Sequence, residues 1–126
     1  MNADEFRRVA LGLNGAVESA HMGHPDFRAN GKIFATIHHD HKWGMLKLTP
    51  EQQATFIRED PESFAPESGA WGRAGSTRVQ FRTISEDVLG QAMTLAWQNT
   101  VAQKKPATTP RPAASGRSKP SRKIRK

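Results

Sequence analysis

The segment His38-His39-Asp40-His41-Lys42-Trp43 places three of the chain's five histidines within four positions. Metal ligation or general acid–base chemistry is the first thing to look for in such a cluster. A zinc site needs three or four ligands converging in a tetrahedron. His39 and His41 could share a face, but a third ligand would have to come from His21 or His24, well removed in sequence. No HExxH spacing, cysteine pair or glutamate base accompanies them. The segment therefore reads as a solvated turn between two strands, and no metal is expected there.

Other routes to catalysis are no better supported. None of the serines, at 19, 63, 68, 76, 85, 115, 118 and 121, sits in a G-x-S-x-G elbow. Gly72-Arg73-Ala74-Gly75-Ser76-Thr77 looks like a phosphate cradle, but it lacks the P-loop lysine and precedes a strand, so a flexible connection is the plainer reading. Glu59-Asp60 and Glu86-Asp87 sit at helix ends, where solvation and the helix dipole account for them. A protein that is not an enzyme and uses no cofactor is expected.

The elements that would position these residues are written in local signals. Asn2 with Glu5 forms a capping pair ahead of Phe6, Val9, Ala10 and Leu13, and Gly12 with Asn14-Gly15 closes that helix. Thr49-Pro50-Glu51-Gln52 combines a cap, a proline at the first helical position and a capping-box partner, opening a helix that runs to about Asp60. A third helix opens near Ser85 and carries Val88, Leu89, Ala92, Leu95 and Ala96 on one stripe. Between the first two, residues 17–22, 26–29, 32–38 and 43–49 read as strands, with Asn30-Gly31 a hairpin turn. Residues 78–82 form a further strand with Val79 and Phe81 on one face and Arg78, Gln80 and Arg82 on the other. One more short strand is expected around residues 70–73. The predicted architecture is α+β, a two-layer sandwich of about five antiparallel strands with helices on one face, in the order αββββαβα.

Charge divides the chain in two. The formal net charge is +7, yet residues 1–103 hold 10 basic and 12 acidic side chains, 10 − 12 = −2, while residues 104–126 hold 9 basic and no acidic ones, and −2 + 9 = +7. That segment, with Lys104, Lys105, Arg111, Arg117, Lys119, Arg122, Lys123, Arg125 and Lys126, has no aromatic residue and one large aliphatic, Ile124. It cannot bury enough apolar surface to offset its ordering entropy, and reads as a disordered basic arm for polyanions. Residues 1–103 form the folded domain. The lack of cysteine suits a reducing cytoplasm. Neither a signal peptide nor a membrane span is expected.

Four features together resemble the MmcQ/YjbR family of small bacterial proteins: HPDFRANGKIFATI at 24–37, LKLTPEQ at 46–52, Trp71-Gly72 with Gly75, and a closing helix reaching Leu95-Ala96-Trp97. The likeness covers residues 2–102. It implies a fold similar to frataxin-like and secretion-chaperone-like proteins, and DNA binding through a double wing of hairpins. The positions it carries over are Phe27, Arg28 and Lys32 on one hairpin, Lys47 on the next strand, and Trp71 with Arg73 on a later loop. Ser76 departs from the bulkier residue expected after Gly75. Iron binding is not transferred, because Arg7 and Arg8 follow Asp4 and Glu5 in the first helix.

Two functions then compete. In the first, the basic arm grips DNA without regard to sequence, and Arg78 and Arg82 join the hairpin residues on a sheet face. The plainer reading of Arg78, Arg82, Lys32 and Lys47 is a polar face balanced by acids. Trp71 either stacks on a base or plugs the edge of a core, and Trp43 and Trp97 are core candidates. In the second, the near-neutral domain is a protein-interaction or chaperone-like module whose sheet receives a partner segment.

Overall fold

A computed structural model describes residues 1–102. The expectation of a disordered arm at 104–126 lies outside the described residues. The order is α1 (Ala3–Leu11), β1 (Val17–His21), β2 (His24–Ala29), β3 (Lys32–Ile37), β4 (Trp43–Lys47), α2 (Pro50–Glu59), β5 (Phe64–Pro66), α3 (Gly69–Arg73), β6 (Ser76–Gln80) and α4 (Glu86–Ala102). The six strands form one antiparallel sheet in the order β1-β2-β3-β4-β6-β5.

Local chemistry explains the helix starts. Asn2 accepts the Glu5 amide and Glu5 returns a bond to the Asn2 amide, and Thr49 and Gln52 repeat this at α2, behind Pro50. Each box satisfies two amides that have no partner in the first turn. Asn30-Gly31 makes the β2–β3 turn with φ of 58° and 80°, a backbone that asparagine and glycine tolerate.

The core lies between the sheet and α1, α2 and α4. Phe6 of α1 meets Phe27 of β2 and Phe81 just beyond β6, at ring separations of 6.1 and 5.1 Å, while Phe56 of α2 meets Phe64 of β5 at 5.0 Å. From α4, Leu89, Ala92, Met93 and Ala96 are buried against it. Strand register sorts the faces: Phe27, Ala35, Leu46 and Thr77 pair in one row across the sheet, and Ile37, Gly44, Val79 and Phe64 in the next. Both rows face the helices. At a bulge between Phe27 and Arg28, Phe34 and Ala35 are buried in succession.

Two expectations are corrected here. The sheet has six strands rather than about five, because Phe64–Pro66 pairs with β6, and three residues ending in a proline carry too weak a pattern to be read as a strand. Residues 70–73 are not a strand but lie in α3. A side chain at Gly72 would place its Cβ 1.7 Å from the Glu67 carbonyl oxygen, so close approach of backbone to backbone decides the conformation there.

Candidate functional site

On β4, Gly44 and Leu46 face the helices, so Trp43, Met45 and Lys47 alternate onto the other face of the sheet. Their neighbours on that face follow from register: Thr36 beside Met45 on β3, and Ser76, Arg78 and Gln80 beside Lys47, Met45 and Trp43 on β6. None of α1, α2 or α4 covers this face. Along β4 it forms a trough of about 320 Å³, with Trp43 and His38 toward one end and Lys47 and Trp71 toward the other. Four residues of strand separate the ends, about 13 Å at some 3.3 Å per residue. Ile33, Met45 and the two tryptophans make its walls largely apolar.

Beside the trough lies a second cleft of about 620 Å³, which shares Ile33, Lys47, Trp71 and Ser76 with it. Arg28, Lys32 and Lys47 line this cleft, and its lining contains no carboxylate. Thr49 and Pro50 bring the positive end of α2 to its wall, and Asn99 and Thr100 of α4 complete it. Asn99 donates to the Lys47 carbonyl (3.1 Å) and to Gln52 Oε1 (2.8 Å), fixing the end of β4 against both helices.

Of the residues selected from sequence, Arg28, Lys32, Lys47 and Trp71 therefore converge, from β2, β3, β4 and α3. Trp71 is not a core plug: it is 69 % exposed, and the Lys47 ammonium lies 5.7 Å from its ring centre. Phe27 is the clearest correction, since it is fully buried beneath the helices and cannot reach a ligand. Arg73 is exposed at the end of α3 but lines neither cleft. Arg82 lies past the end of β6 in the turn before α4, so it does not join Arg78 and Gln80 on the strand. Trp97 is partly buried against the core and donates to the Asn14 carbonyl (2.9 Å). The nine cations of residues 104–126 lie outside the described residues.

The sheet face carries its own electrostatics. Arg78 stacks its guanidinium 3.9 Å from the Trp43 ring and lies 3.3 Å from the carboxylate of Glu67. Its buried Nε has no hydrogen-bond partner among the described residues. Asp26 is fully buried and accepts two bonds from Arg28, at 2.8 and 3.1 Å, with His21 Nδ1 at 2.6 Å. The Arg28 bonds hold its carboxyl below the usual carboxylate range, against the opposing effect of burial, and the His21 bond adds to them. Burial lowers the pKa of His24, and the neighbouring His21, His38 and His39 lower it further.

The histidine segment is the turn joining β3 to β4. His38 N–H donates to the Trp43 carbonyl (2.9 Å), His41 N–H to the His38 carbonyl (2.8 Å), and Asp40 accepts the Lys42 amide (2.9 Å). The Lys42 bond comes first in holding Asp40 below its ordinary pKa. His38 stacks on Trp43 at 3.9 Å, which places Trp43 on the open face rather than in the core where the sequence suggested it. Among the described residues no three His, Asp or Glu side chains gather as a metal would need. Sequence reasoning missed Ile33, Met45, Glu67, Asn99 and Thr100. Only the alternation of Trp43, Met45 and Lys47 on one strand offered a local signal for any of them.

An antiparallel sheet with helices over one face and an open trough on the other defines a small α+β domain. The family model YjbR matches residues 11–99, and the chain belongs to the YjbR family. Its fold is similar to that in the crystal structure of Deinococcus radiodurans protein DR2400, described with the domain DUF419. The TM-score is 0.66 at 21% identity, over 80% of this chain and 78% of that one. A comparison with curated proteins gives no match. Among the described residues no helix is long and apolar enough to cross a membrane.

Proposed function

We propose that this protein is a non-catalytic DNA-binding protein in which the cations of residues 104–126 and the cleft of Arg28, Lys32 and Lys47 hold phosphates together. One observation carries the reading. The cleft without a carboxylate lies where the chain enters its most basic segment: Thr100 lines it, α4 ends at Ala102, and Lys104 and Lys105 follow. Six of the twelve acids support this by their placement. Asp4, Glu5, Glu51, Glu59, Glu86 and Asp87 all lie on helices, away from the open face. Phosphate contacts of this kind give affinity without sequence readout. A protein so built needs no cofactor and belongs in the compartment that holds DNA, here the cytoplasm.

A fluorescence-anisotropy titration of duplex and single-stranded DNA across salt tests the proposal. Three full-length chains are compared: the natural one, one with the nine cations of 104–126 changed to glutamine, and K32A/K47A. Weaker binding by both variants is the expected result. Undiminished binding by both would overturn the proposal.

A second reading, a partner peptide laid against the sheet, is favoured by β1. It is an edge strand whose Val17 is exposed, followed by Met22 exposed in the turn. An edge strand offers a row of backbone groups to an added strand. If the natural full-length chain binds no DNA even at low salt, this reading takes precedence.

A further inference from the structure

We infer that the trough along β4 is a pocket for an unstacked base of single-stranded DNA, with the adjoining phosphate held by Lys47, Lys32 and Arg28. The inference rests on the proposed function and names the form of DNA that the open face takes.

The shape and lining point to this ligand. At about 320 Å³ the trough is within the size range of small-molecule sites, and it is open along one side, as a base attached to a chain requires. Trp71 stands exposed at its rim, while Met45 and Ile33 offer apolar contact within. Every base has a π-face that stacks on an aromatic ring whatever its identity, and a base in duplex has both faces occupied by its neighbours. A base edge also needs hydrogen-bonding groups, and His24 lines the trough with a buried Nδ1 that has no partner among the described residues. The carboxylate in the lining, Glu67, is engaged by Arg78, so it does not stand as a free negative charge against the strand.

The two clefts meet at Lys47 and Trp71, so a base in the one lies next to the other. A base beneath Trp71 has its phosphate directed into the cleft, where Lys32 and Lys47 form no ion pair among the described residues and Arg28, held by Asp26, offers its remaining guanidinium N–H groups to a phosphodiester. Apolar trough and cationic cleft thus repeat the alternation of base and phosphate along a single strand.

The test uses the full chain in roughly 0.4 M salt, which suppresses purely phosphate-driven binding. A short oligothymidylate is titrated beside the same oligomer with its bases removed, a duplex and thymidine 5′-monophosphate. Binding is read from tryptophan fluorescence and from the methionine methyl resonances. Base stacking is expected to give the normal oligomer an advantage of about tenfold over the abasic one. The Met45 methyl should shift while Met93, in the core on the opposite side of the sheet, stays. W71A, a change at an exposed side chain, should lose that advantage. Equal affinity for normal and abasic oligomers with Met45 unmoved overturns the pocket but leaves DNA binding standing. Affinity for the mononucleotide matching that for the oligomer overturns the assignment to a nucleic-acid strand. Failure of the full chain to bind any DNA even at low salt overturns the proposed function and this inference together.

Discussion

Asp26 and Arg28 alternate onto the same face of β2, and the fully buried carboxylate of the first accepts both Nε–H and Nη2–H of the second, at 2.8 and 3.1 Å. The pair holds Arg28 in place at the cleft wall while leaving its side chain about one-third exposed. Asp26→Ala is expected to cost about 2 kcal/mol, the scale of hydrogen bonds to a charged group. It should also weaken DNA binding by releasing Arg28. Urea unfolding and anisotropy read the two effects separately.

Stability should fall in acid in two stages. His24 has a folded pKa below its ordinary 6.5, so the unfolded chain takes the proton first. Its contribution is complete above pH 6.5 and is lost as pH falls through the folded value. Asp26 is also depressed, so its contribution is complete above the ordinary 3.8 and is lost as pH falls below that. His24→Gln should remove the first decline and leave the second. Urea midpoints across pH report both, and an unchanged profile in H24Q would count against the His24 assignment.

Two glycines that no side chain can replace hold the trough's rim. Gly75 has φ +115°, and a Cβ there would lie 1.9 Å from the Leu48 carbonyl oxygen; at Gly72 the clash is with Glu67. Gln53 clamps the same segment, its Nε2 reaching the carbonyls of Gly72 (3.1 Å) and Ser76 (3.0 Å). Gly75→Ala should destabilise by about 2 kcal/mol or more, through strain and backbone displacement. An exposed control such as Gly15→Ala, strained but open, should cost less. Thermal unfolding ranks the two.

Salt dependence measures the contribution of residues 104–126. If five of the nine cations of residues 104–126 meet duplex phosphates, the logarithm of affinity falls against that of salt with a slope of about −4.5. Replacing those nine with glutamine should bring the slope close to that of the cleft alone. A slope unchanged by the replacement would assign the phosphate contacts to the domain.

Much of the fold was readable one segment at a time because its signals are local. The two capping boxes, the Asn30-Gly31 turn and the stripe on α4 each depend on residues within a few positions of one another, and each forms as its pattern predicts. Met93 escaped the predicted stripe although it is fully buried, and β5 was too short to announce itself.

The segregation of charge into residues 104–126, the helix starts and the alternation that divides β4 between two faces were all determined by sequence alone. Each is a property of composition or near-neighbour order. Tertiary structure alone decided that Phe27 is buried while Trp71 is exposed, and that Lys47 and Trp71, 24 positions apart, share a rim. That meeting requires the chain to leave β4, pass through α2, β5 and α3, and return as β6 beside the strand it left. The physical reason is that strand pairing and backbone contacts such as Gly75 against Leu48 bring distant residues together, and no local pattern records which ones they are.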